Sequence, residues 1–446
     1  MRIIYMPMST SSSVRVSLRY YTLLCGLLLL AAGSLPSAAA QGFNHHGAVV
    51  WDPLRVVRQK VTASDGTANS FFGSAAALQG NAALIGADGD NNFQGAAYIF
   101  FSRSGDSRWT EVQKLTASDG LAGDEFGYRV DLSRNTLVVG AFSATVNGVV
   151  SQGAAYVFTR STNTWSENQK LVASDGGLFD NFGASVALYR DTIVVGANGA
   201  TVNGNPAQGA VYVFRLSNGI WTEAQKLTAQ DGAAYDNFGL SVALQGSTIL
   251  VGSPVANING HSGQGAVYTF TNVNGIWSFA QKLVASDGGT NDGFGESVAL
   301  DRDTALVGAY GATVDGHSGQ GAAYIFTNSG GTLTETQKLT ANDGESNANF
   351  GNAVALDNQQ ALIGADVSTV GDHTSAGKAY IFTETGGTWN QNRTLVASDP
   401  ATDDFFGAAV ALDGPTVLVS TPHPVINGNP YQGAAYFFER LMDDAR

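Results

Sequence analysis

The chain has 446 residues and a formal net charge of −14, with only 13% charged residues and 55 glycines. This composition excludes disorder or long surface helices and favours many short strands joined by tight turns. The acidic balance argues against nucleic acid as a partner, whereas cations or a basic protein surface would suit it.

The chain begins with a predicted secretory signal peptide at residues 1–40. Three arginines and no acid precede a short apolar run, residues 23–32, and small residues precede Gln41. The run is too short for a comfortable membrane span, and it contains Cys25, the single cysteine of the sequence. We therefore expect a cysteine-free secreted protein, extracellular or periplasmic (in the cell envelope), with no membrane span after cleavage.

After residue 55 one phrase returns seven times, and its most regular word is Phe-Gly. The first two copies are 54 residues apart, and the later copies are 56 residues apart. The pairs are Phe72-Gly73, Phe126-Gly127, Phe182-Gly183, Phe238-Gly239, Phe294-Gly295, Phe350-Gly351 and Phe406-Gly407. Self-similarity at a fixed period of this size indicates a repeat architecture.

Each unit divides into four strand-like runs, and the unit that begins at Phe126 shows them clearly. The runs cover residues 126–132, 136–141, 153–159 and 165–172. They are rich in β-branched and aromatic residues, and clusters of Gly, Asn, Asp and Ser separate them. No segment has a helical period. Seven such units predict an all-β, seven-bladed β-propeller with four antiparallel strands per blade.

The two ends of the repeat are complementary. The last unit stops after its third strand, at residues 433–438, while residues 55–63 form a spare fourth strand before the first Phe-Gly. We expect the N-terminal strand to complete and close the last blade, because a solenoid would need capping repeats instead. The predicted domains are the signal peptide at 1–40, a leader at 41–54, the propeller at 55–440 and a C-terminal tail at 441–446.

Two words of the repeat carry a family resemblance. Phe-Gly opens the first strand, and Val-Gly-Ala closes the second, as in Val139-Gly140-Ala141. The chain resembles FG-GAP repeat proteins, which form the seven-bladed propeller of integrin α-subunits and of many bacterial secreted proteins. The resemblance implies the same fold here. It also implies calcium at an Asp-x-Asp-x-Asp-Gly loop between strands one and two, but tight turns replace that loop, so those sites are not expected.

One other loop approaches a calcium-binding pattern. Asp88, Asp90 and Asn92 place oxygen atoms at alternate positions between strands two and three of the first blade. The loop lacks a closing acid, and the alternative is a simple Asp/Asn/Gly turn. We therefore predict Asp88, Asp90 and Asn92 as candidate metal ligands, while no cofactor is required and Ca²⁺ has no further support.

Acidic residues recur in the predicted loops. An Asp, mostly followed by Gly, stands in the connection from each blade to the next, and a second acid often stands two residues before the Phe. These side chains are expected to accept hydrogen bonds from loop amides and fix the turns, with cation binding as the alternative. The first set is Asp65, Asp119, Asp175, Asp231, Asp287, Asp343 and Asp399, and the second is Asp124, Asp180, Asp236, Asp292 and Asp404.

Three further residue types recur at fixed places. His261, His317 and His373 share one register, and we expect them to be exposed, because separate blades cannot bring three ring nitrogens to roughly 2 Å from one ion. A lysine in the outermost strand is expected to blunt that edge against pairing, with a basic stripe as the alternative. A tryptophan in the same strand is expected to pack between blades rather than form a sugar platform.

No catalytic motif appears in the sequence. We therefore expect a non-enzymatic binding or adhesion module whose loop face meets a protein or glycan.

 The protein is expected to be a monomer in solution. The sequence leaves two other classes open. One is a polysaccharide-acting enzyme with a site at the propeller axis, and the other is a purely structural envelope protein.

Overall fold

The computed structural model describes residues 56–103, 108–162 and 164–440. In this part of the chain, strands form seven four-stranded antiparallel sheets, and the single helix has four residues. The predicted all-β, seven-bladed propeller is therefore confirmed. The predicted signal peptide, leader and C-terminal tail lie outside the described residues.

The blades are numbered in chain order, and their strands run from the axis outwards. Blade 1 contains β2 (Ala76–Gln79), β3 (Ala82–Ala87), β4 (Ala96–Ser102) and β5 (Trp109–Leu115), with α1 (Asp90–Phe93) between β3 and β4. Blade 2 contains β6 (Phe126–Ser133), β7 (Thr136–Ala141), β8 (Ala154–Ser161) and β9 (Thr164–Leu171). Blade 3 contains β10 (Phe182–Tyr189), β11 (Thr192–Ala197), β12 (Ala210–Ser217) and β13 (Ile220–Leu227).

The remaining blades repeat this order. Blade 4 contains β14 (Ser241–Gln245), β15 (Thr248–Ser253), β16 (Ala266–Val273) and β17 (Ile276–Leu283). Blade 5 contains β18 (Ser297–Asp301), β19 (Thr304–Ala309), β20 (Ala322–Ser329) and β21 (Thr332–Leu339). Blade 6 contains β22 (Val354–Asp357), β23 (Gln360–Ala365), β24 (Lys378–Thr385) and β25 (Thr388–Leu395). Blade 7 contains β26 (Val410–Asp413), β27 (Thr416–Thr421), β28 (Ala434–Arg440) and β1 (Val56–Val61).

The N-terminal strand closes the ring, as predicted. β1 pairs antiparallel with β28 along its whole length, so the first strand of the chain is the outermost strand of the last blade. Lys60 of β1 reaches Asp399 at 2.7 Å, and Gln59 exchanges two 2.7 Å hydrogen bonds with the backbone of Trp109 in blade 1. Blade 7 is thus tied to both of its neighbours through β1.

The core lies between blades, because each sheet buries both of its faces against neighbouring sheets. β11 is buried along its whole length, as its apolar sequence TIVVGA predicts. Phe182 and Trp221 of blade 3 share a hydrophobic cluster with Val138 and Val157 of blade 2. The recurring tryptophans are buried in such clusters, so their predicted packing role is confirmed.

The Phe-Gly words join blades rather than simply opening strands. In blades 2 and 3 a register shift follows the pair, and in the other blades the first strand begins several residues later than predicted. The reason is local: Gly183 has a φ of +98°, which interrupts the ladder. Phe182 forms a bridge with Gly153 of the preceding blade. The Phe-Gly pair therefore connects one blade to the preceding blade.

Candidate binding face

Two sets of loops share one face of the disc, which we call the loop face. It carries the connections between blades and the loops between second and third strands. Backbone hydrogen bonds join the two sets, from Phe179 to Val150 at 3.2 Å, for example, and from Tyr235 to Pro206 at 2.9 Å. The prediction that these loops share a face is confirmed. We call each contact between neighbouring blades a seam and number it by its two blades.

The first set of recurring acids is engaged within the scaffold. At seam 1/2, Asp119 accepts a 2.8 Å hydrogen bond from the Tyr156 hydroxyl and lies 2.7 Å from the Lys170 ammonium. Partial burial raises the pKa of Asp119, but these two donors outweigh it and hold the pKa below its ordinary value. Burial and the Asp119 carboxylate raise the pKa of Tyr156. The partners are side chains from another strand, not the loop amides that were predicted.

This Lys–Asp pair recurs around the ring, and the edge-guarding role of the lysines stays a prediction. Each of these ammonium groups is bonded to an aspartate, and most also lie over a tyrosine ring. In blade 6 the outer position holds Thr394, and Lys378 of the third strand supplies the charge instead. The pairs are Lys60–Asp399, Lys114–Asp65, Lys170–Asp119, Lys226–Asp175, Lys282–Asp231, Lys338–Asp287 and Lys378–Asp343.

The second set of acids fixes the turns, as predicted. Asp180 accepts a 2.7 Å hydrogen bond from the amide of Gly177, three residues earlier. Asp124, Asp236, Asp292 and Asp404 accept the equivalent bond in their own loops. These carboxylates are buried and serve the backbone, so the repeated acids form part of the scaffold.

The predicted metal residues lie together in one loop but are engaged differently. Asp90 is buried and lies 2.8 Å from the Lys114 ammonium, while Asn92 is exposed in a left-handed conformation. A bound cation would have to compete with Lys114 for Asp90, which weighs against this residue as a ligand. Within the described residues, no group of three or more His, Cys, Asp or Glu side chains is gathered closely enough to hold a metal ion. Calcium at this loop stays a prediction.

Asp88 instead borders a carboxyl group that sequence reasoning had passed over. Glu125 stands just before the Phe-Gly of blade 2, a position where the chain varies from blade to blade. Burial, followed by the charge of Asp88, raises the pKa of Glu125 to about 7, against a hydrogen bond with Ser143 that lowers it. The charged form of Glu125 is therefore disfavoured in the folded protein.

This raised pKa predicts a pH-dependent stability. Because the folded protein binds the Glu125 proton more tightly than the unfolded chain, its stability should fall as pH rises from 4.5 to about 7. Glu125→Gln removes the contribution of Glu125, while Asp131, whose pKa burial also raises to about 7, continues to titrate in this range. After allowance for solvent screening, we expect the variant to gain about 1 kcal/mol over the parent above pH 7 and nothing below pH 4.5. Denaturant unfolding across this range measures it, and parallel pH profiles for the two proteins would contradict it.

The three histidines are exposed, as predicted. His261 and His317 each close a small loop by pairing with a residue three positions earlier, and His373 does the same. All three lie at one level of the loop face, in blades 4, 5 and 6. They therefore mark one half of that face.

The other half of the loop face is apolar. At the hydrogen-bonded position described above, seam 2/3 places Val150 beside Phe179, whereas seam 4/5 places Ser262 beside Asn291. We call the half that extends from seam 7/1 to seam 3/4 the apolar sector, and the half with the three histidines the polar sector. On the polar sector, Val255 is the one large exposed apolar side chain among the described residues. The large exposed apolar side chains of the apolar sector are Phe93, Leu121, Val150, Leu178, Phe179, Tyr235, Val425 and Tyr431.

At seams 2/3 and 3/4 of the apolar sector, aromatic residues occupy a backbone position that seams 4/5 and 5/6 give to asparagine. Phe179 and Tyr235 have φ values of +60° and +68°, and the equivalent Asn291 and Asn347 have +63° and +61°. Left-handed backbone suits asparagine and glycine far better than a bulky side chain. Phe71, Phe93 and Tyr431 of this sector also have positive φ. The apolar sector therefore carries backbone strain that the repeat itself does not require.

The aromatic residues of seam 7/1 form one cluster with His423 of blade 7 and with Phe405 of seam 6/7. His423 lies 4.7 Å from Phe405 and 5.2 Å from Tyr431, between ring centroids, and Phe71 lies 5.4 Å from His423. Phe93 of blade 1 extends the cluster, with its ring 6.0 Å from that of Phe71. Comparing equivalent positions of the seven repeats would have revealed these aromatic residues in the sequence. They were missed because each residue looks ordinary within its own loop.

Comparison with known proteins defines the family. The model described as "FG-GAP repeat" matches seven segments, which are residues 56–100, 109–158, 165–214, 221–270, 277–326, 333–382 and 389–438. The chain belongs to the FG-GAP repeat family. Each FG-GAP segment starts on the outermost strand of one blade and ends on the third strand of the next, which explains why β1 must close the ring.

Two individual proteins show how far the similarity to known proteins extends along the chain. Integrin alpha-2 of Mus musculus is 31% identical over 126 residues, which cover 25% of this chain and 10% of the integrin. The solved structure of Sqt1 from Saccharomyces cerevisiae is 11% identical with a TM-score of 0.46, over 86% of this chain and 98% of Sqt1. No helix in the described part of the FG-GAP chain is long and apolar enough to cross a membrane.

Proposed function

We propose that the protein is a secreted, non-enzymatic binding module whose apolar sector meets a protein partner. The observation that carries this proposal is the set of aromatic side chains held at positive φ on the loop face. Strained residues persist where the surrounding structure enforces them, and such strain often marks a functional site. Sibling seams show that the same fold tolerates asparagine at these positions.

The chemistry of the apolar sector favours a protein over a glycan. Phe179 and Tyr235 expose 58% and 61% of their surface, and the aliphatic Leu121 and Leu178 are equally exposed beside them. A large exposed apolar patch is typical of a protein interaction site, whose buried centre is apolar and aromatic. The repeated acids of the first set also lie at this surface, where Asp119 exposes 54% of its side chain, but lysine and tyrosine side chains already engage them.

Two finer parts of the proposal rest on other grounds. Secretion rests on the predicted signal peptide at residues 1–40. An adhesive role rests on the likeness to integrin alpha-2 over a quarter of the chain. Both agree with a rigid scaffold whose loops carry recognition.

The test uses a matched pair of variants. Phe179→Asn with Tyr235→Asn gives seams 2/3 and 3/4 the residue that seams 4/5 and 5/6 already carry. We expect this double variant to be about 1 to 2 kcal/mol more stable, because it relieves left-handed strain at two positions. We also expect it to lose about tenfold or more in affinity for any protein that the parent captures from an array of purified extracellular proteins.

The control substitutes the equivalent positions of the polar sector, Asn291→Ala with Asn347→Ala, and leaves the aromatic residues in place. This variant should bind as the parent does. A parent that binds only on a glycan array would contradict the protein partner. Equal binding by the two double variants would contradict the apolar sector as the site.

A further inference from the structure

A second departure from the repeat lies at the outer edge of blade 4. In most seams a clamp joins neighbouring outer strands. At seam 2/3, for example, the amide and hydroxyl of Ser174 donate to the Glu223 carboxylate at 2.9 and 2.8 Å. The same clamp joins Ser64 to Glu111, Ser118 to Glu167 and Ser286 to Glu335.

Seam 3/4 lacks both members of this clamp. Gln230 replaces the serine and Phe279 replaces the glutamate. The Phe279 ring lies 6.1 Å from Phe270, and 43% of its surface is exposed. A groove of about 380 Å³ opens between the outer strands, with Phe270, Trp277 and Phe279 among its lining residues.

The edge beside this groove is also weakly protected against pairing with another strand. β17 ends its sheet, so one side of its backbone has no strand partner. Its hairpin end exposes Val273 and Ile276, each at 65%, where blade 5 has Ser329 and Thr332. β17 carries no acidic residue, and its lysine, Lys282, is already paired with Asp231.

We propose that the protein self-associates weakly through β17, with two copies pairing their blade 4 edges antiparallel about a two-fold axis. An antiparallel pair of identical strands is self-complementary, which is the requirement of a two-fold interface. The chain carries a net charge of −14, so two copies approach most easily where an outer strand has no acid. This contact uses the outer strand β17 rather than the exposed aromatic residues of the apolar sector, and it departs from the monomer expected from sequence.

The interface involves one strand and one hairpin end, which is below the standard size for a stable dimer. Sedimentation equilibrium of the purified protein should therefore show a weight-average mass that rises toward the dimer between about 10 μM and about 1 mM. Raising the salt from about 50 mM to about 500 mM should strengthen association, because it screens repulsion between acidic copies and leaves apolar contacts intact.

The serine and glutamate at the equivalent positions of other seams supply the substitutions. Phe279→Glu with Gln230→Ser rebuilds the clamp, and we expect it to fold as stably as the parent and remain a monomer over the same range. Val112→Thr, which removes an exposed apolar side chain from the outer strand of blade 1, is the control and should associate like the parent. The proposal is overturned if the parent stays monomeric at about 1 mM, or if the rebuilt clamp leaves association unchanged.

Discussion

Deleting β1 (Val56–Val61) is expected to lower the free energy of unfolding by on the order of 5 kcal/mol, at about 1 kcal/mol for each of several lost hydrogen bonds. The deletion removes the strand pairing with β28, the Lys60–Asp399 ion pair and the exchange between Gln59 and Trp109. A loss of this size approaches the whole stability of a typical domain. Thermal unfolding followed by circular dichroism should show a much lower melting temperature or no cooperative transition.

A peptide control separates closure from a general effect of truncation. Adding a synthetic peptide of residues 55–63 to the deleted protein should restore the melting transition, because the peptide can occupy the outer edge of blade 7. A scrambled peptide of the same composition should not. An unchanged melting temperature after the deletion would show that the ring does not depend on β1.

Gly153→Ala is expected to have the second large effect, about 3 to 5 kcal/mol of lost stability. Gly153 has a φ of +85°, and a Cβ there would overlap the backbone nitrogen and oxygen of Phe182 in the next blade. The two blades would have to separate to accept it. Since the core lies between blades, that separation would loosen the packing of Phe182 against its neighbours. Denaturant unfolding measures the change.

Gly148→Ala is the matched control in the same blade. Gly148 has a φ of +84°, and a Cβ there would meet nothing within 4 Å. Both variants carry the same left-handed strain, so the control should lose only about 1 kcal/mol. Equal losses in the two variants would show that backbone conformation, and not the close approach of two blades, explains the glycine at position 153.

The fold could be predicted from sequence because each strand of the repeat carries a local signal. β7 (Thr136–Ala141) matches its predicted run to the residue, since an apolar strand bounded by turn residues has few alternatives. Closure was also predictable, because the chain has one outer strand too many at its start and one too few at its end. The Phe-Gly region was less predictable, since its alternation resembles a continuous strand and the positive φ of its glycine appears only in the structure.

Partners from other strands could not be predicted. Lys170 and Asp119 are 51 residues apart, and only the propeller geometry brings them to 2.7 Å. Read one strand at a time, the lysine suggested an edge guard and the aspartate suggested a turn. The substitution of Lys378 for the missing outer lysine of blade 6 is equally invisible until β24 and the connection from β21 to β22, which carries Asp343, are seen together.

The candidate site was the least predictable part, because it is defined by a difference between equivalent seams. Phe179 and Asn291 occupy the same place in two similar loops, SDGGLFDNFG and SDGGTNDGFG, and their common left-handed conformation appears only in the structure. The repeated motifs form the scaffold, and residues between these motifs form the apolar sector.

Hydroxyl-radical footprinting of the protein with and without a bound protein partner tests this central claim most directly. Aromatic and histidine side chains both react, so the two halves of the loop face report in one experiment. We predict that oxidation of Phe93, Phe179 and Tyr235 falls severalfold on binding, while His261, His317 and His373 keep their rates. Protection of the histidines without protection of these aromatic residues would contradict the account.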